Sequence, residues 1–379
     1  MKTVHDIKIL DNIPVLVRAP LNVPIKEGVV ADDYRLKRAV PTIEFLTSRG
    51  ARVVLISHIG EKGTETLKPV AEALGKLVKN VSFCGTTIDA AARAAVRELP
   101  PGHVLVLENL RRNSGEKKNS MEFAKELAAL ADVFVQDSFD TCHRVHASMV
   151  SVPTLLPSYA GLLLLEELTE LSKALTPARP SLAVIGGAKF ATKEVLLQVL
   201  LKKYDHIFVA GALVNDFLKA AGHEVGKSLV SGGDDAGIRK MLENPKIVLP
   251  TDVRVVREGV MPIPKNARVA SVDDVQSDEI ILDIGPETVK RLGGMAQSMK
   301  AVLWNGPLGK YEDDFVDGTH DFAQAVAVSS AHSIVGGGDT VAALETLGIL
   351  KKFSFVSTGG GAMLDLLAKG TLPGVEALG

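Results

Sequence analysis

Short apolar runs alternate with amphipathic stretches throughout the sequence, and this alternation limits the fold more than any other feature. In the N-terminal half, it predicts strands at residues 15–17, 52–56, 81–84, 104–107 and 133–136, with helices at 34–49, 68–78, 88–98 and 120–131. In the C-terminal half, it predicts strands at residues 182–185, 207–210, 247–249, 302–304, 333–335 and 353–356. Strands and helices in turn are typical of parallel sheets covered by helices.

The 379 residues are more than one domain usually holds, so two domains are expected. A long helical pattern at residues 157–175 ends before two prolines and is a candidate hinge between them. The predicted class is α/β, with two doubly wound parallel-sheet (Rossmann-like) domains joined by a helix and a cleft between them. The predicted boundaries are 1–156 for the N-terminal domain, 157–175 for the connecting helix, 176–356 for the C-terminal domain and 357–379 for a C-terminal segment.

Charge and composition narrow the setting in which the protein works. The net charge of −2 gives no reason to expect nucleic-acid binding. The leucine run at residues 162–165 is followed by Glu166 and Glu167 and cannot span a membrane. Two cysteines without metal-site spacing fit a reducing compartment. A cytoplasmic protein without nucleic-acid or membrane partners is therefore expected.

Residues 181–200 combine an apolar strand, two glycines and the start of a helix. Gly186 and Gly187 follow the strand, and Lys189 and Lys193 are predicted to lie on one side of the first helical turn. A helix N-terminus after a glycine turn suits an anion, and two lysines there suggest a polyphosphate. The alternative is an ordinary strand-to-helix turn with two solvated lysines, and this stretch alone does not separate the two.

Basic and polar side chains follow the predicted strands of the N-terminal half. They are Arg18, Asn22, Ser57, His58, Glu108, Asn109, Arg111, Arg112, Asp137, Ser138, His143, Arg144 and His146. Any one of them is ordinarily a surface residue, but ligands gather beyond the carboxyl ends of parallel strands. The pattern therefore favours a basic pocket for a phosphate or carboxylate, which arginine binds with paired hydrogen bonds.

Glycine turns follow the predicted strands of the C-terminal half. They lie at Gly211 and at residues 304–309, 336–340 and 357–361, and the third includes Gly337, Gly338 and Thr340. Several such turns at one sheet edge let backbone N–H groups face an anion, so a phosphate-bearing ligand is predicted. The standard phosphate-loop and dinucleotide patterns are absent.

Two carboxylates near these turns have two interpretations each. Asp339 is either the N-cap of the next helix or a contact for nucleotide-bound Mg²⁺. Glu312 either binds a ribose hydroxyl or is solvated. One domain with a small anionic ligand and another with a polyphosphate fit phosphoryl transfer, which needs mainly positioning and charge neutralisation. Closure of two such domains would also exclude water.

The motifs together resemble the phosphoglycerate kinase family from end to end. Those that carry the resemblance begin at Leu21 (LNVP), Ser57 (SHIG), Glu108 (ENLR), His143 (HRVH), Gly186 (GGAK), Asp283 (DIGP), Trp304 (WNGP), Gly336 (GGGD) and Ser357 (STGGG). The resemblance implies a phosphotransferase of glycolysis that acts reversibly between 1,3-bisphosphoglycerate with ADP and 3-phosphoglycerate with ATP. It also implies Mg²⁺, a monomer, and return of the C-terminal segment to the N-terminal domain.

The resemblance also implies a role for each matching residue. The phosphoglycerate is expected on Asn22, Arg35, His58, Arg111 and Arg144. The nucleotide is expected on Lys189, Lys193, Gly211, Asn305, Pro307 and Glu312, together with the turn that holds Gly337, Gly338, Asp339 and Thr340. Asp339 would meet Mg²⁺. The catalytic residues would be Arg35, Lys193, Gly360 and Gly361.

The sequence departs from the family pattern mainly on the acceptor side. Pro20 replaces an aspartate, Glu61 replaces an arginine, Arg112 replaces a phenylalanine, Asp140 replaces a glycine, and Thr192 replaces an aspartate. Losing one arginine–phosphate contact could weaken substrate binding roughly ten- to a hundredfold. Arg112 is a hypothetical substitute for the lost charge. The departures leave two alternatives open: a catalytically weakened nucleotide-binding homologue, or a kinase for a related small carboxylate.

Overall fold

The computed structural model describes residues 1–232 and 235–379, without the side chain of Asp235. The chain forms two compact units. The first contains Met1–Thr169 and Lys369–Gly379, and the second contains Glu170–Ala368. These limits differ from the boundaries predicted at 156/157, 175/176 and 356/357, because the division falls inside one helix and the returning segment starts at Lys369.

The first unit is built on a parallel sheet. Its strands are β1 (Pro14–Arg18), β4 (Arg52–Ile56), β5 (Val81–Cys84), β6 (Val104–Leu107), β7 (Val133–Gln136) and β8 (Ser158–Ala160), in the order β5-β6-β4-β1-β7-β8. A small antiparallel pair, β2 (Ile25–Lys26) and β3 (Val29–Val30), lies outside it. The five strands predicted for this half match strands of the sheet within one residue.

Helices cover the first sheet. They are α1 (Tyr34–Thr47), α2 (Lys68–Leu74), α3 (Ala90–Glu98), α4 (Ser114–Lys117), α5 (Met121–Ala128) and α6 (Leu162–Leu175), the last of which continues into the second unit. Val15 and Val17 belong to one buried cluster, whereas Leu16 belongs to another. Because side chains alternate along a strand, the sheet has a core on each face. The predicted doubly wound α/β class is confirmed.

The sequence pattern predicted one helix at residues 157–175, but the structure forms a strand and then a helix there. Ser158–Ala160 forms β8, whose residues pair with β7, and α6 begins only at Leu162. Between them, the N–H of Gly161 donates to the carbonyl of Gln136, and a side chain on Gly161 would collide with the carboxylate of Asp137. A glycine is therefore required at the point where the strand turns into the helix.

The second unit repeats this architecture. Its parallel sheet consists of β9 (Ser181–Ile185), β10 (His206–Val209), β11 (Ile247–Val248), β15 (Ala301–Asn305), β16 (His332–Gly336) and β17 (Phe355–Val356), in the order β11-β10-β9-β15-β16-β17. Its helices are α7 (Glu194–Lys203), α8 (Leu213–Ala221), α9 (Asp235–Leu242), α10 (Pro286–Ser298), α11 (Asp317–Ala327), α12 (Gly338–Thr346) and α13 (Gly360–Lys369).

An antiparallel sheet in the second unit was not predicted. Its strands are β12 (Asp252–Arg257), β13 (Arg268–Ser271) and β14 (Glu279–Ile284), in the order β13-β12-β14. Arg254 and Arg257 interrupt the apolar run of β12, so it lacks the continuous apolar pattern of a buried parallel strand. Arg268 joins β13 to β14 through an ion pair with Glu279 at 2.7 Å.

The C-terminal residues belong to the first unit. The short helix α14 (Pro373–Glu376) is held there by a hydrogen bond from the N–H of Gly374 to the carbonyl of Cys142 at 2.9 Å. A β-carbon on Gly374 would stand 3.2 Å from the sulfur of Cys142, so only glycine fits without movement. No helix within the described part of the chain is long and apolar enough to span a membrane.

Candidate functional site

Arg18, the last residue of β1, organises the strand ends of the first unit. The side chain is fully buried and donates to the hydroxyls of Ser148, Ser57 and Ser138 at 3.2, 3.1 and 3.3 Å. It also donates to the carbonyl of Ala19 at 2.9 Å. These partners come from loops distant in sequence, so one guanidinium fixes the floor of the predicted anion pocket.

His58 lies directly on this floor. Nη2 of Arg18 is 2.7 Å from Nδ1 of His58. Burial, followed by the positive charges of Arg18 and Arg111, lowers the pKa of His58 well below its usual value. The ring is therefore neutral at pH 7, and because a guanidinium can only donate, its proton is on Nε2. His58 can offer this single N–H to an anionic substrate.

Asn22 and Arg35 are brought together beside it. Nη1 of Arg35 donates to the carbonyl of Asn22 at 2.6 Å, and the N–H of Gly60 donates to the side-chain oxygen of Asn22 at 3.3 Å. Asp140 lies 3.9 Å from Nη1 of Arg35 and accepts a hydrogen bond from the hydroxyl of Ser138 at 2.5 Å. The aspartate at a position where glycine was expected thus faces a candidate catalytic arginine.

Arg111 occupies the next place along the strand ends. Only 5% of its side chain is exposed, and Nη1 contacts both the carbonyl of Gly60 and, at 3.2 Å, the carboxylate of Glu61. Its buried Nε has no hydrogen-bond partner within the described residues. Arg112 points elsewhere and pairs with Glu108 at 3.2 Å. This pairing makes Arg112 a poor source of free positive charge for a substrate.

Arg144 and His146 lie on the loop after β7. Arg144 is exposed, whereas His146 is half-buried and close to buried Glu116, with 3.8 Å between Nδ1 and the carboxylate. Burial, with smaller contributions from Arg111, Arg18 and Arg144, lowers the pKa of His146 to about 4. The predicted residues of the first unit therefore form one basic region, with Arg144 as its most exposed member.

The glycine turns of the second unit also pack against one another. The N–H of Gly186 donates to the carbonyl of Asn305 at 2.8 Å, and that of Gly211 to the carbonyl of Leu308 at 3.1 Å. The N–H of Gly306 donates to the hydroxyl of Thr340 at 3.1 Å. The turns after β9, β10, β15 and β16 are thus linked by hydrogen bonds and form one surface.

Gly337 and Gly360 cannot carry a side chain unless their neighbours move. Gly337 has φ of +106°, and a β-carbon there would stand 3.3 Å from the N atom of Gly306 and from the hydroxyl of Thr340. A β-carbon on Gly360 would stand 2.7 Å from the α-carbon of Gly337. The side-chain amide of Asn305 donates to the carbonyl of Gly360 at 3.4 Å. The start of α13 is therefore packed against the turn after β16.

A pocket of about 560 Å³ lies beside these turns, entirely within the second unit. Of the predicted nucleotide-binding residues, it is lined by Gly211, Pro307, Glu312 and Asp339. Its remaining walls are largely apolar and include Val214, Leu229, Ile280, Ile281, Leu282, Ile284 and Leu308. An apolar slot with polar groups at its rim suits a flat heterocycle attached to phosphates.

The two lysines of the first glycine turn are not on one helical turn, so that expectation was wrong. Phe190–Thr192 forms a 3₁₀ turn, Lys189 precedes it in extended conformation, and Lys193 is the N-cap of α7. Lys193 is half-buried, with its Cε 3.2 Å from where a β-carbon of Gly187 would stand. Burial lowers its pKa, although Asp365 opposes the shift. Lys189 is exposed.

Asp339 is not a helix cap. The N-cap of α12 is Gly337, and Asp339 lies in the first helical turn and borders the pocket. Burial, followed by the charge of Glu312, raises the pKa of Asp339. Within residues 1–232 and 235–379, no three His, Cys, Asp or Glu side chains cluster as a metal site. A carboxylate beside a phosphate-binding turn fits Mg²⁺, which needs few protein ligands when it arrives with a nucleotide.

Several residues of both regions were missed or misjudged from the sequence. Glu116 and Ser148 complete the network around Arg18, and the apolar wall of β14 forms much of the nucleotide-sized pocket. Lys227, Asn215 and Lys310 also line this pocket. The one available signal was the DIGP motif at the end of β14, which marked the strand without showing which of its side chains face the pocket.

The chain is similar to known proteins along nearly its whole length. The family model described as phosphoglycerate kinase matches residues 4–370. Phosphoglycerate kinase of Xanthobacter autotrophicus is 43% identical over 395 aligned positions, which cover 100% of this chain and 98% of that protein. The enzyme of Moorella thermoacetica is also 43% identical, over 99% and 98%.

Two solved structures agree with these sequence relatives. Phosphoglycerate kinase from Coxiella burnetii superimposes with a TM-score of 0.84 at 39% identity, covering 99% of this chain and 98% of the other. The enzyme from Pyrococcus horikoshii superimposes with a TM-score of 0.90 at 29% identity, covering 100% and 98%.

Proposed function

This chain belongs to the phosphoglycerate kinase family and catalyses reversible phosphoryl transfer between 1,3-bisphosphoglycerate and ADP, and we propose which of its residues do so. The first unit binds the phosphoglycerate, and the second binds ATP or ADP. The observation that carries the nucleotide assignment is the 560 Å³ pocket, with apolar walls on one side and linked glycine turns on the other.

The acceptor is held by the basic region of the first unit. Arg35, Arg111 and Arg144 supply positive charge, His58 supplies its Nε2–H, and Asn22 supplies its side-chain amide. The buried and unpartnered Nε of Arg111 is a donor without an acceptor in the described residues, which supports an incoming oxyanion at that point. Charged hydrogen bonds of this kind favour the phosphate and carboxylate groups of 3-phosphoglycerate.

The nucleotide is held by the second unit. Its base lies against the apolar wall, Glu312 meets the ribose, and Gly211 and Pro307 line the same site. Asn305 is not among the residues that line the pocket, and it contributes by holding the glycine turns through its hydrogen bonds with Gly186 and Gly360. Lys189 and the turn holding Gly337, Gly338 and Thr340 bind phosphate oxygens through charge and backbone N–H groups. The tight approach of Gly337 to Gly306 and Thr340 supports this assignment, because such a turn exposes N–H groups that a side chain would cover.

Transfer of the phosphoryl group relies on positioned positive charge. Lys193 stands at the start of α7, where its half-buried ammonium adds to the positive end of the helix. Arg35 contacts the transferring group from the acceptor side, and the backbone N–H groups of Gly360 and Gly361, at the start of α13, stabilise its equatorial oxygens. Asp339 would hold Mg²⁺, which neutralises phosphate charge when bound.

The working form of the enzyme is part of the same proposal. We expect a cytoplasmic monomer whose partners are small molecules and include neither nucleic acid nor membrane. The net charge of −2 and the two free cysteines, Cys84 and Cys142, support this setting. Bending at the connecting helix stays a prediction.

A coupled assay of ATP-dependent phosphorylation of 3-phosphoglycerate tests the residue assignment. Lys193→Ala is expected to lower kcat by about a hundredfold or more, the usual effect of removing one group that stabilises transition-state charge. Lys202→Ala is the matched control, because Lys202 is an exposed lysine on the same helix. Equal rates for the two variants would remove Lys193 from the catalytic residues.

A further inference from the structure

We propose that Glu61 is an internal competitor for Arg111, and that the acceptor must displace its carboxylate to bind. This inference rests on the proposed role of Arg111 in holding the phosphoglycerate. It assigns Glu61 a task of its own, which is to set the affinity of the enzyme for its anionic substrate.

The contacts of Glu61 show how it competes. One carboxylate oxygen lies 3.2 Å from Nη1 of Arg111, and the other lies 3.5 Å from Nζ of Lys117. The backbone carbonyl of Glu61 also accepts a hydrogen bond from Lys117 at 2.5 Å. The carboxylate therefore stands between two cations and carries the charge that a substrate oxyanion would bring.

The two partners differ in mobility. Only 5% of the Arg111 side chain is exposed, whereas 79% of the Glu61 side chain is exposed. Arg111 is thus fixed by its surroundings, and Glu61 can turn into solvent while Lys117 still holds its backbone. Burial alone would raise the pKa of Glu61, but Arg111 and Lys117 lower it, so the carboxylate is charged whenever the enzyme works.

The size of the effect follows from this exposure. Exposed ion pairs are worth about 0.2–1 kcal/mol, which corresponds to roughly a 1.4- to fivefold change in a dissociation constant. Glu61→Gln should therefore lower the KM for 3-phosphoglycerate by about 1.4- to fivefold and leave the KM for ATP unchanged. The difference should shrink in 0.5 M KCl, because salt screens an exposed carboxylate.

The experiment compares Glu61→Gln, Arg111→Gln and the double variant by steady-state kinetics. Glu61→Asp keeps the charge and should stay near the parent value. Glu98→Gln, which neutralises an exposed glutamate at the end of α3, controls for net charge. If Glu61 acts through Arg111, its substitution has no effect once Arg111 is glutamine.

The outcomes separate this inference from the proposed function. A lower KM in Glu61→Gln, absent from the double variant, is the expected result. An unchanged or higher KM in Glu61→Gln, with a raised KM in Arg111→Gln, overturns the competition but keeps Arg111 as a substrate ligand. An unchanged KM in Arg111→Gln removes Arg111 from the acceptor site, and the inference falls with it.

Discussion

Nη2 of Arg18 lies 2.7 Å from Nδ1 of His58, and both side chains are buried at the ends of neighbouring strands. The arginine takes no part in the predicted substrate contacts, yet it decides what His58 can do. By donating to Nδ1 it places the imidazole proton on Nε2, and by its charge it disfavours a second proton. His58 then serves as a neutral hydrogen-bond donor of fixed orientation.

This relationship predicts the protonation state of His58. We expect the ring to remain in the neutral Nε2–H form between pH 6 and 8, because burial and Arg18 hold its pKa well below the usual value. Imidazole ¹⁵N NMR of labelled protein measures the tautomer directly, and a His58→Phe variant assigns the signal. A titration with a midpoint near 6.5 would contradict the prediction.

Substitution of Arg111 and substitution of Arg112 should have very different effects on the KM for 3-phosphoglycerate, although the two residues are neighbours in sequence. Arg111→Gln is expected to raise the KM for 3-phosphoglycerate roughly ten- to a hundredfold, since a charged hydrogen bond is lost. Arg112→Gln should change it less than about twofold, because its guanidinium is engaged by Glu108. A large effect at Arg112 would restore the hypothesis that it replaces a missing charge in the acceptor pocket.

The close approach of Gly360 to Gly337 predicts a sensitive position. A β-carbon on Gly360 would force the turn after β16 to move, so Gly360→Ala should lower kcat/KM for ATP about ten- to a hundredfold. Gly294→Ala is the control, because a β-carbon there meets nothing within 4 Å and alanine favours the helix α10. Similar kinetics for both variants would show that the turn tolerates displacement.

The proposed role of Asp339 in holding Mg²⁺ can be tested by measuring how the reaction rate depends on magnesium concentration. Asp339→Asn should raise the Mg²⁺ concentration for half-maximal rate by about tenfold, since a neutral amide binds a hard cation less well. Asp321→Asn, at an exposed position on α11, is the matched control. An identical magnesium dependence in the two variants would argue for a purely structural aspartate at the start of α12.

The lowered pKa of His146 predicts that this residue makes a pH-dependent contribution to the stability of the fold. Its folded pKa of about 4 lies below the unfolded value near 6.5, so the unfolded state binds more protons in this range. The parent protein should therefore lose stability as pH falls from 6.5 through 4, and His146→Asn should lose less. Melting temperatures of both proteins at pH 7.5, 6 and 5 measure this, and a constant difference would exclude the effect.

The parallel strands could be predicted because burial on both faces leaves continuous apolar runs such as residues 104–107 and 182–185. The strand Ser158–Ala160 was not predicted, because three residues are too few to show a hydrophobic period and they lie next to a strong helical pattern. The antiparallel strand Asp252–Arg257 was not predicted, because its arginines interrupt the apolar run. Periodicity thus identified the two parallel sheets and missed the short and half-exposed strands.

The candidate site was predicted as a list of residues, without its pairings. Strand-end positions identified Asn22, His58 and Arg111, because parallel strands share one ligand-binding edge, whereas Arg35, inside α1, was identified only by the family resemblance. The partners of these residues depend on loop conformations that spacing does not encode. The ion pair of Glu61 with Arg111, and the bond of Arg112 to Glu108, therefore required coordinates.

The return of Lys369–Gly379 to the first unit has a consequence for biosynthesis. The ribosome releases these residues only after it has made all of Glu170–Ala368. Until then Cys142 lacks the hydrogen bond that Gly374 provides, so the unit translated first is the unit completed last. The second unit of the nascent chain can therefore be complete while the first unit still lacks its C-terminal segment.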